Sequence, residues 1–363
     1  EACTDSFFKN KKEEEADRVK KIKKDFKHLT KIFYPLKETE LSGIKLLEKV
    51  GKFLYEGQKV EDAAGLSSTD VFENVDESYI TEDKKDIYDL FCAKESETRY
   101  IFLTSVYLAE RGLKTLIVTT DPASHLNDIF GQKITHSPKE IAGVNNLFAA
   151  RIDQKKALKE YKKRILEAVR DLGTEAKKSV EEDLNSPCAE EMSAFEKFMS
   201  YFEPNGYDVV IFDTAPTGHT IRLLELPTDW KGFIDLGSLA KKTSKDTENK
   251  YNNVIETMRD DKKSTFIFVM YPEYTPIIEA WRASEDLKDQ VGINTAMVAV
   301  NYLLPDEYGK NIFFENRKKQ QKKYLLDIKK RFKVPLIRIP LFKDEPVGLD
   351  KLKLAGRSIY KKD

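Results

Sequence analysis

Short apolar runs alternate with amphipathic stripes along most of this chain. Thr115–Thr119, Val209–Phe212, Thr265–Met270 and Ala296–Val300 are brief apolar runs rich in β-branched side chains. Runs of that length, apolar on both faces, suit strands buried in a parallel sheet. Between them the period changes. Leu158, Tyr161, Ile165, Val169 and Leu172 recur every three or four residues within Lys155–Leu172, the stripe of a helix with one buried face. Met192–Glu203 and Ile277–Leu287 also read as helices, and a helix near Tyr100–Arg111 is stopped by Gly112. A further strand is expected near Ile87–Cys92. This alternation predicts an α/β fold, a doubly wound, mostly parallel sheet with helices on both faces.

The pattern also repeats. Residues 7–26 (F-F-K-N-K-K-E-E-E-A-D-R-V-K-K-I-K-K-D-F) match residues 313–332 (F-F-E-N-R-K-K-Q-Q-K-K-Y-L-L-D-I-K-K-R-F) at constant spacing. The Phe-Phe, Asn, Ile-Lys-Lys and final Phe positions coincide. After a one-residue slip, Pro35-Leu36, Glu40, Gly43, Leu47, Gly51 and Tyr55 match Pro340-Leu341, Glu345, Gly348, Leu352, Gly356 and Tyr360. Each copy reads as a charged helix, a short strand (Lys31–Tyr34; Leu336–Ile339), a Pro-Leu turn and a closing amphipathic helix. So long a period signals a duplicated domain rather than a solenoid. The expected organisation is a carboxyl-terminal remnant of a first repeat at 1–57, an acidic linker at 58–84 and a second repeat at 85–363. On this reading the chain begins inside a first domain; domain swapping or a vestigial duplication is the alternative.

Composition narrows the function classes. Charged residues make up 34%, but Lys+Arg and Asp+Glu balance at 62 each, so no net field recruits nucleic acid or an anionic membrane. The basic run Arg317–Lys323 is read as a solvated helix face. Three cysteines, Cys3, Cys92 and Cys188, form no disulfide framework, and a reducing cytoplasmic setting is expected. No apolar run approaches the ~18 residues of a membrane span.

The chemistry gathers where strands end. Open α/β sheets bind ligands at the carboxyl ends of their strands. Asp213 closes the run Val209–Phe212, and Thr-Ala-Pro-Thr-Gly-His-Thr follows before an apolar run restarts at Ile221. Asp121 stands just past Thr115–Thr119, within Thr-Asp-Pro-Ala-Ser-His-Leu-Asn-Asp. The two carboxylates would flank one crevice, one placed to orient a water and the other to hold Mg²⁺ through its shell. His125 and His219 lie in the same loops and are read as loop-ordering.

These two stretches resemble the switch regions of the family containing the arsenical pump-driving ATPase and the tail-anchored-protein targeting ATPase, a group of P-loop NTPases. Ser186–Phe198 (S-P-C-A-E-E-M-S-A-F-E-K-F) resembles the segment before the second switch, and V-N-Y-L-L-P (300–305) and P-L-F-K-D-E-P-V-G (340–348) resemble the adenine-side loops. The resemblance covers 85–363, with 7–57 as the tail of a second copy. It implies ATP and Mg²⁺ as ligands. It makes Asp121 the water-orienting residue and Gly218 the γ-phosphate sensor, with Asp213 and Thr217 on the Mg²⁺ side. Asn301, Pro340 and Leu341 become adenine contacts.

One part departs from the family. Its loop, G-K-G-G-V-G-K-T, places glycine amides, a lysine and a threonine around the phosphates. The corresponding stretch is expected at Phe91–Arg99, F-C-A-K-E-S-E-T-R, which has no glycine. Lys94 matches the loop's first lysine if two residues are deleted. Without a gap, Thr98 matches its threonine and Glu97 replaces the phosphate lysine. This copy alone is therefore expected not to hydrolyse ATP. It reads as the degenerate or regulatory half of a tandem pseudodimer, with the first repeat or a second subunit as partner.

The branch follows from what is thin. A tail-anchored targeting chaperone, the alternative, needs a broad apolar groove. Here only Trp230, Phe233, Ile234, Leu236 and Leu239 cluster after the second switch, which resembles the pump branch with a membrane pump as partner. A non-hydrolysing scaffold is a further alternative. Cys188 falls where the pump branch places a metalloid-binding thiol. The family's Cys-x-x-Cys zinc pair would fall near Asn311 and Phe314, so no zinc is expected.

Overall fold

The apolar run at 209–212 folds as a strand near the centre of the sheet. The computed structural model describes residues 6–31, 33, 47–48, 50–52, 54, 99–101, 105–120, 126–170, 173–203, 206–214, 243–307, 311–344 and 346–360. Its strands are β1 Arg99–Ile101, β2 Thr115–Thr119, β3 Lys139–Glu140, β4 Leu147–Arg151, β5 Val209–Asp213, β6 Ser264–Met270, β7 Thr295–Leu303 and β8 Leu336–Pro340. They lie in one sheet in the order β3-β4-β2-β5-β1-β6-β7-β8. β2 runs parallel to β4 and β5, and β1 runs parallel to β5 and β6. Only the short edge strand β3 is recorded as antiparallel, against β4. The sheet is therefore mostly parallel, as the sequence predicts.

By contacts the chain divides into two units. One comprises Glu1–Asp83, Met270–Ile278 and Val300–Glu345; the other comprises Lys84–Val269, Glu279–Ala299 and Pro346–Asp363.

In the second unit both sheet faces are covered. Leu116 and Val118 of β2 and Val210 and Phe212 of β5 join a cluster with Phe195 and Phe198 of α6 (Pro187–Met199) and Val254, Ile255 and Met258 of α7 (Thr243–Arg259). Leu147 and Ala149 of β4 enter a different cluster with Val106 and Ala109 of α2 (Ser105–Glu110) and Leu126 of α3 (Leu126–Phe130). Leu349 and Leu352 of α10 (Leu349–Tyr360) pack on that second cluster. Alternate side chains of one strand serve opposite faces, so a run apolar at every position is what two covered faces require. Phe212 is 1% exposed, and its ring lies 4.6 Å from that of Phe198 and 5.1 Å from that of Phe202. Burying such a side chain contributes about 1.5–3 kcal/mol.

Local signals set the helix ends. Asp153 caps α4 (Gln154–Ala168) by accepting the Lys156 N–H at 3.1 Å. Ser186 caps α6, whose first residue is Pro187, where a missing N–H costs nothing. α5 spans Thr174–Leu184. In the first unit, α1 (Ser6–Asp25) and α9 (Ile312–Phe332) are the long helices. Asn311 caps α9 through the Phe314 N–H at 3.1 Å, and Tyr324, Leu325 and Ile328 are its buried residues. α8 (Tyr274–Asp286) runs on into a π turn, Leu287–Val291, closed by Gly292 at φ 77°.

One expectation needs correcting, and it concerns the residues from 99 to 105. Tyr100 belongs to strand β1, not to the helix expected at Tyr100–Arg111; α2 is shorter, Ser105–Glu110. Arg99 belongs to the same strand and pairs with Val209, and residues 91–98 lie outside the described residues. The strand expected near Ile87–Cys92 lies outside the described residues.

Candidate functional site

The two carboxylate-bearing strand ends lie side by side. β2 and β5 are neighbours in register, with Thr119 opposite Asp213. Beyond the last pair, the Thr120 N–H donates to the Asp213 carbonyl at 2.9 Å. On the other flank the Ile152 N–H donates to the Thr119 carbonyl at 2.9 Å. The exit of β2 is thus pinned from both sides just before Asp121. Asp213 is exposed while Val209, Val210, Ile211 and Phe212 are buried, so the strand delivers one carboxylate to solvent at its carboxyl end. Asp121, Thr217, Gly218, His125 and His219 lie outside the described residues, as does the Trp230–Leu239 cluster.

The third strand end is that of β1. β1 sits between β5 and β6, with Ile101 opposite Ile211 and Thr265. Only residues 102–104, Phe-Leu-Thr, connect it to α2. Lys94 and Thr98 lie outside the described residues and precede Arg99, the amino end of β1. Phosphates bind at the carboxyl ends of such strands. Among the described residues at these strand ends, Asp213 belongs to the set expected around MgATP.

The residues expected on the adenine side lie in the first unit. The structure brings Asn301, Pro340 and Leu341 together through β7 and β8: the Leu341 N–H donates to the Leu303 carbonyl at 2.7 Å. Asn301 Oδ1 accepts the Tyr302 N–H at 2.8 Å, and Tyr302 adopts φ 63°, a left-handed backbone uncommon for a bulky side chain. Gln321 of α9 holds this turn twice. Its Oε1 accepts the Leu304 N–H at 2.9 Å and its Nε2 donates to the Tyr302 carbonyl at 3.1 Å. Tyr302 stands edge-on to Tyr271 at 5.0 Å, and both rings are about half exposed. Burial, then the neighbouring Tyr302 and Glu273, raise the Tyr271 phenol above its usual value. Sequence reading missed Gln321, Tyr271 and Tyr302. The left-handed turn was the only signal for Tyr302, and it is not written in residue type.

Cys188 is the second residue of α6. Asn311 and Phe314, where the zinc pair would fall, form a helix cap. Among the described residues no group of three or more His, Cys, Asp or Glu could hold a metal ion, and no helix is long and apolar enough to cross a membrane. A cavity of about 560 Å³ lies among α4, α6 and α7, lined by Tyr161, Ser193, Met199 and Asn253 among others. The charged groups at its rim pair off, Arg164 with Glu196 and Lys250 with Glu203.

Comparison with known proteins decides the family. The sequence profile of the anion-transporting ATPases matches residues 1–56, 101–245 and 238–361. The chain belongs to that family. Among its relatives, a putative arsenical pump-driving ATPase from Halobacterium salinarum is 48% identical over 98% of this chain and 59% of its own length. An arsenical pump-driving ATPase from Escherichia coli is 31% identical over 56% of this chain and 36% of its own length. The ATPase GET3 from Candida glabrata is 29% identical over 70% of this chain and 83% of its own. The chain thus spans little more than half of the Halobacterium relative. The stretch 57–100, which contains Lys94 and Thr98, falls outside the profile match.

Proposed function

We propose that this chain is part of a nucleotide-coupled ATPase of the arsenical-pump type, and that its second repeat is the regulatory, non-hydrolysing half. The observation that carries the reading is the stretch Phe91–Arg99, which has no glycine, set against a strand that ends on the exposed Asp213. Similarity to a putative arsenical pump-driving ATPase over 98% of the chain supports the pump branch. Bound MgATP would supply the phosphoanhydride to be cleaved. Toward it, Asp121 would orient water, Asp213 and Thr217 would face the Mg²⁺ side, and Gly218 would meet the γ-phosphate. Asn301, Pro340 and Leu341 would line the adenine side. The missing phosphate cradle would come from the first repeat or a second subunit, and Cys188 would offer one thiol to a metalloid. The setting would be cytoplasmic, against a membrane pump.

The test is phosphate release from MgATP by this chain, with calorimetry of ATP and ADP with and without Mg²⁺. Release at the level of a protein-free blank is expected. Turnover by this chain that disappears in Asp121→Asn overturns the reading. The similarity to GET3 supports a second reading, a chaperone for tail-anchored membrane proteins; co-purification of an apolar helix would select it.

A further inference from the structure

His136 is 5% exposed, and no role in the expected site falls to it. Its ring is held at one nitrogen by backbone. Nδ1 accepts the Asp153 N–H at 3.1 Å. An accepting Nδ1 carries no proton, so the proton of the neutral ring sits on Nε2. Among the described residues Nε2 is buried without a hydrogen-bond partner, and Glu160 Oε2 stands 3.4 Å from it. The His136 carbonyl accepts the Tyr201 hydroxyl at 3.4 Å. One residue thus joins the segment before β3, helix α4 and the 3₁₀ turn Ser200–Phe202 that follows α6. What it joins bears on the strand end. Asp153 is the cap of α4. Just before it, the Arg151 N–H donates to the Thr135 carbonyl at 2.8 Å and the Ile152 N–H to the Thr119 carbonyl at 2.9 Å. Thr119 ends β2, two residues before Asp121. Three successive amides, 151–153, therefore tie the β2 exit, the His136 segment and the start of α4 to one short piece of backbone.

We propose that His136 is a positioning residue, a proton-sensitive clip that fixes the start of α4 to the carboxyl end of β2. With the ring neutral, Nδ1 accepts the Asp153 amide and the clip is closed. A proton on Nδ1 turns the acceptor into a donor, so two N–H groups face each other and the bond is lost. The charge that enters the ring is met by Glu160 at Nε2, which gives the open form a counter-charge in place of the lost bond. Titratable groups face the imidazole from two elements. Asp153 and Glu160 come from α4, and Tyr201, with Lys197 5.5 Å from its ring, comes from the end of α6. Opening the clip frees the residue next to Ile152, the amide that pins Thr119. The first turn of α4 and the β2 exit therefore loosen together when the ring is protonated.

The clip goes beyond the proposed function and does not rest on it. Its test uses the full chain without nucleotide, so failure here leaves the turnover test standing. Amide hydrogen exchange is followed from about pH 8 to about pH 5, the span over which histidines titrate, with each rate corrected for the intrinsic effect of pH. Protection of the Ile152 and Asp153 amides should fall about tenfold toward the acid end, the scale of one hydrogen bond. His136→Asn keeps an amide oxygen near the place of Nδ1 and takes up no proton. Its protection should stay level across the range, close to that of the parent at the alkaline end. A residue that merely fills space would give no such pH dependence and no such rescue. Parent protection that stays level, or an equal acid fall in His136→Asn, would overturn the proposal. A second measurement covers the case in which His136→Asn fails to fold. Nitrogen NMR of the parent ring at about pH 8 should show a protonated Nε2 and a bare Nδ1. A proton found on Nδ1 there would sink the clip, because that nitrogen would have no lone pair for Asp153.

Discussion

β5 and β1 are neighbours in one sheet, and they end in opposite ways. β5 carries its buried run out to the exposed carboxylate of Asp213, beside the pinned exit of β2. β1, paired with it at Ile101 and Ile211, passes through three residues into a six-residue helix. One strand ends on an exposed carboxylate, while its neighbour ends on the apolar Ile101. The sheet tolerates this because its stability lies in buried strand faces, whereas ligand chemistry lies in the loops. Shortening a loop changes closure entropy only slowly with length and leaves the core unchanged.

Removing the strand face should have the largest effect. Phe212→Ala empties a position 1% exposed, against Phe198 and Phe202, and should cost about 3–5 kcal/mol, read from the urea midpoint of the whole chain. A loss under 1 kcal/mol would mean that the strand faces are not what sustains the sheet. Restoring the loop comes next. Inserting Gly-Lys-Gly-Gly-Val-Gly-Lys-Thr between Ile101 and Ser105 in place of residues 102–104 should tighten MgADP binding at least tenfold by calorimetry, since each charge-assisted bond to phosphate contributes about 1.5–3 kcal/mol. Unchanged affinity in a folded variant would show that the connection is not what the site lacks.

The smallest effect should come from pH. Burial, then Tyr207 and Glu160, raise the Tyr201 phenol well above its ordinary value of 10.0. The folded state therefore keeps a proton that the unfolded chain releases. The associated stability is complete below pH 10 and falls as pH rises beyond it. Tyr201→Phe should flatten that alkaline decline by one proton's worth in urea midpoints taken from pH 9 upward. An unchanged slope would remove Tyr201 from the account.

What the pattern reveals is uneven, for physical reasons. Thr115–Thr119 appears at its observed limits because an apolar run between polar residues has one way to be buried. Helix ends are less legible. The stripe expected over Lys155–Leu172 starts at Gln154 and stops at Ala168, where Val169 becomes the cap. α7 escapes periodicity because only Val254, Ile255 and Met258 among its described side chains are buried. β1 escapes because Arg-Tyr-Ile is too short to show an alternation, and the helical stripe that follows absorbs Tyr100.

The amino-acid sequence by itself determined the alternating α/β order, the family, and the carboxylate at the end of β5. These are local signals, carried by residues near one another along the chain. Tertiary structure alone decided which strands stand beside β5. It also decided that Tyr201 meets His136. Both facts are pairings between segments distant in sequence, settled by burial and hydrogen-bond register rather than by any local preference.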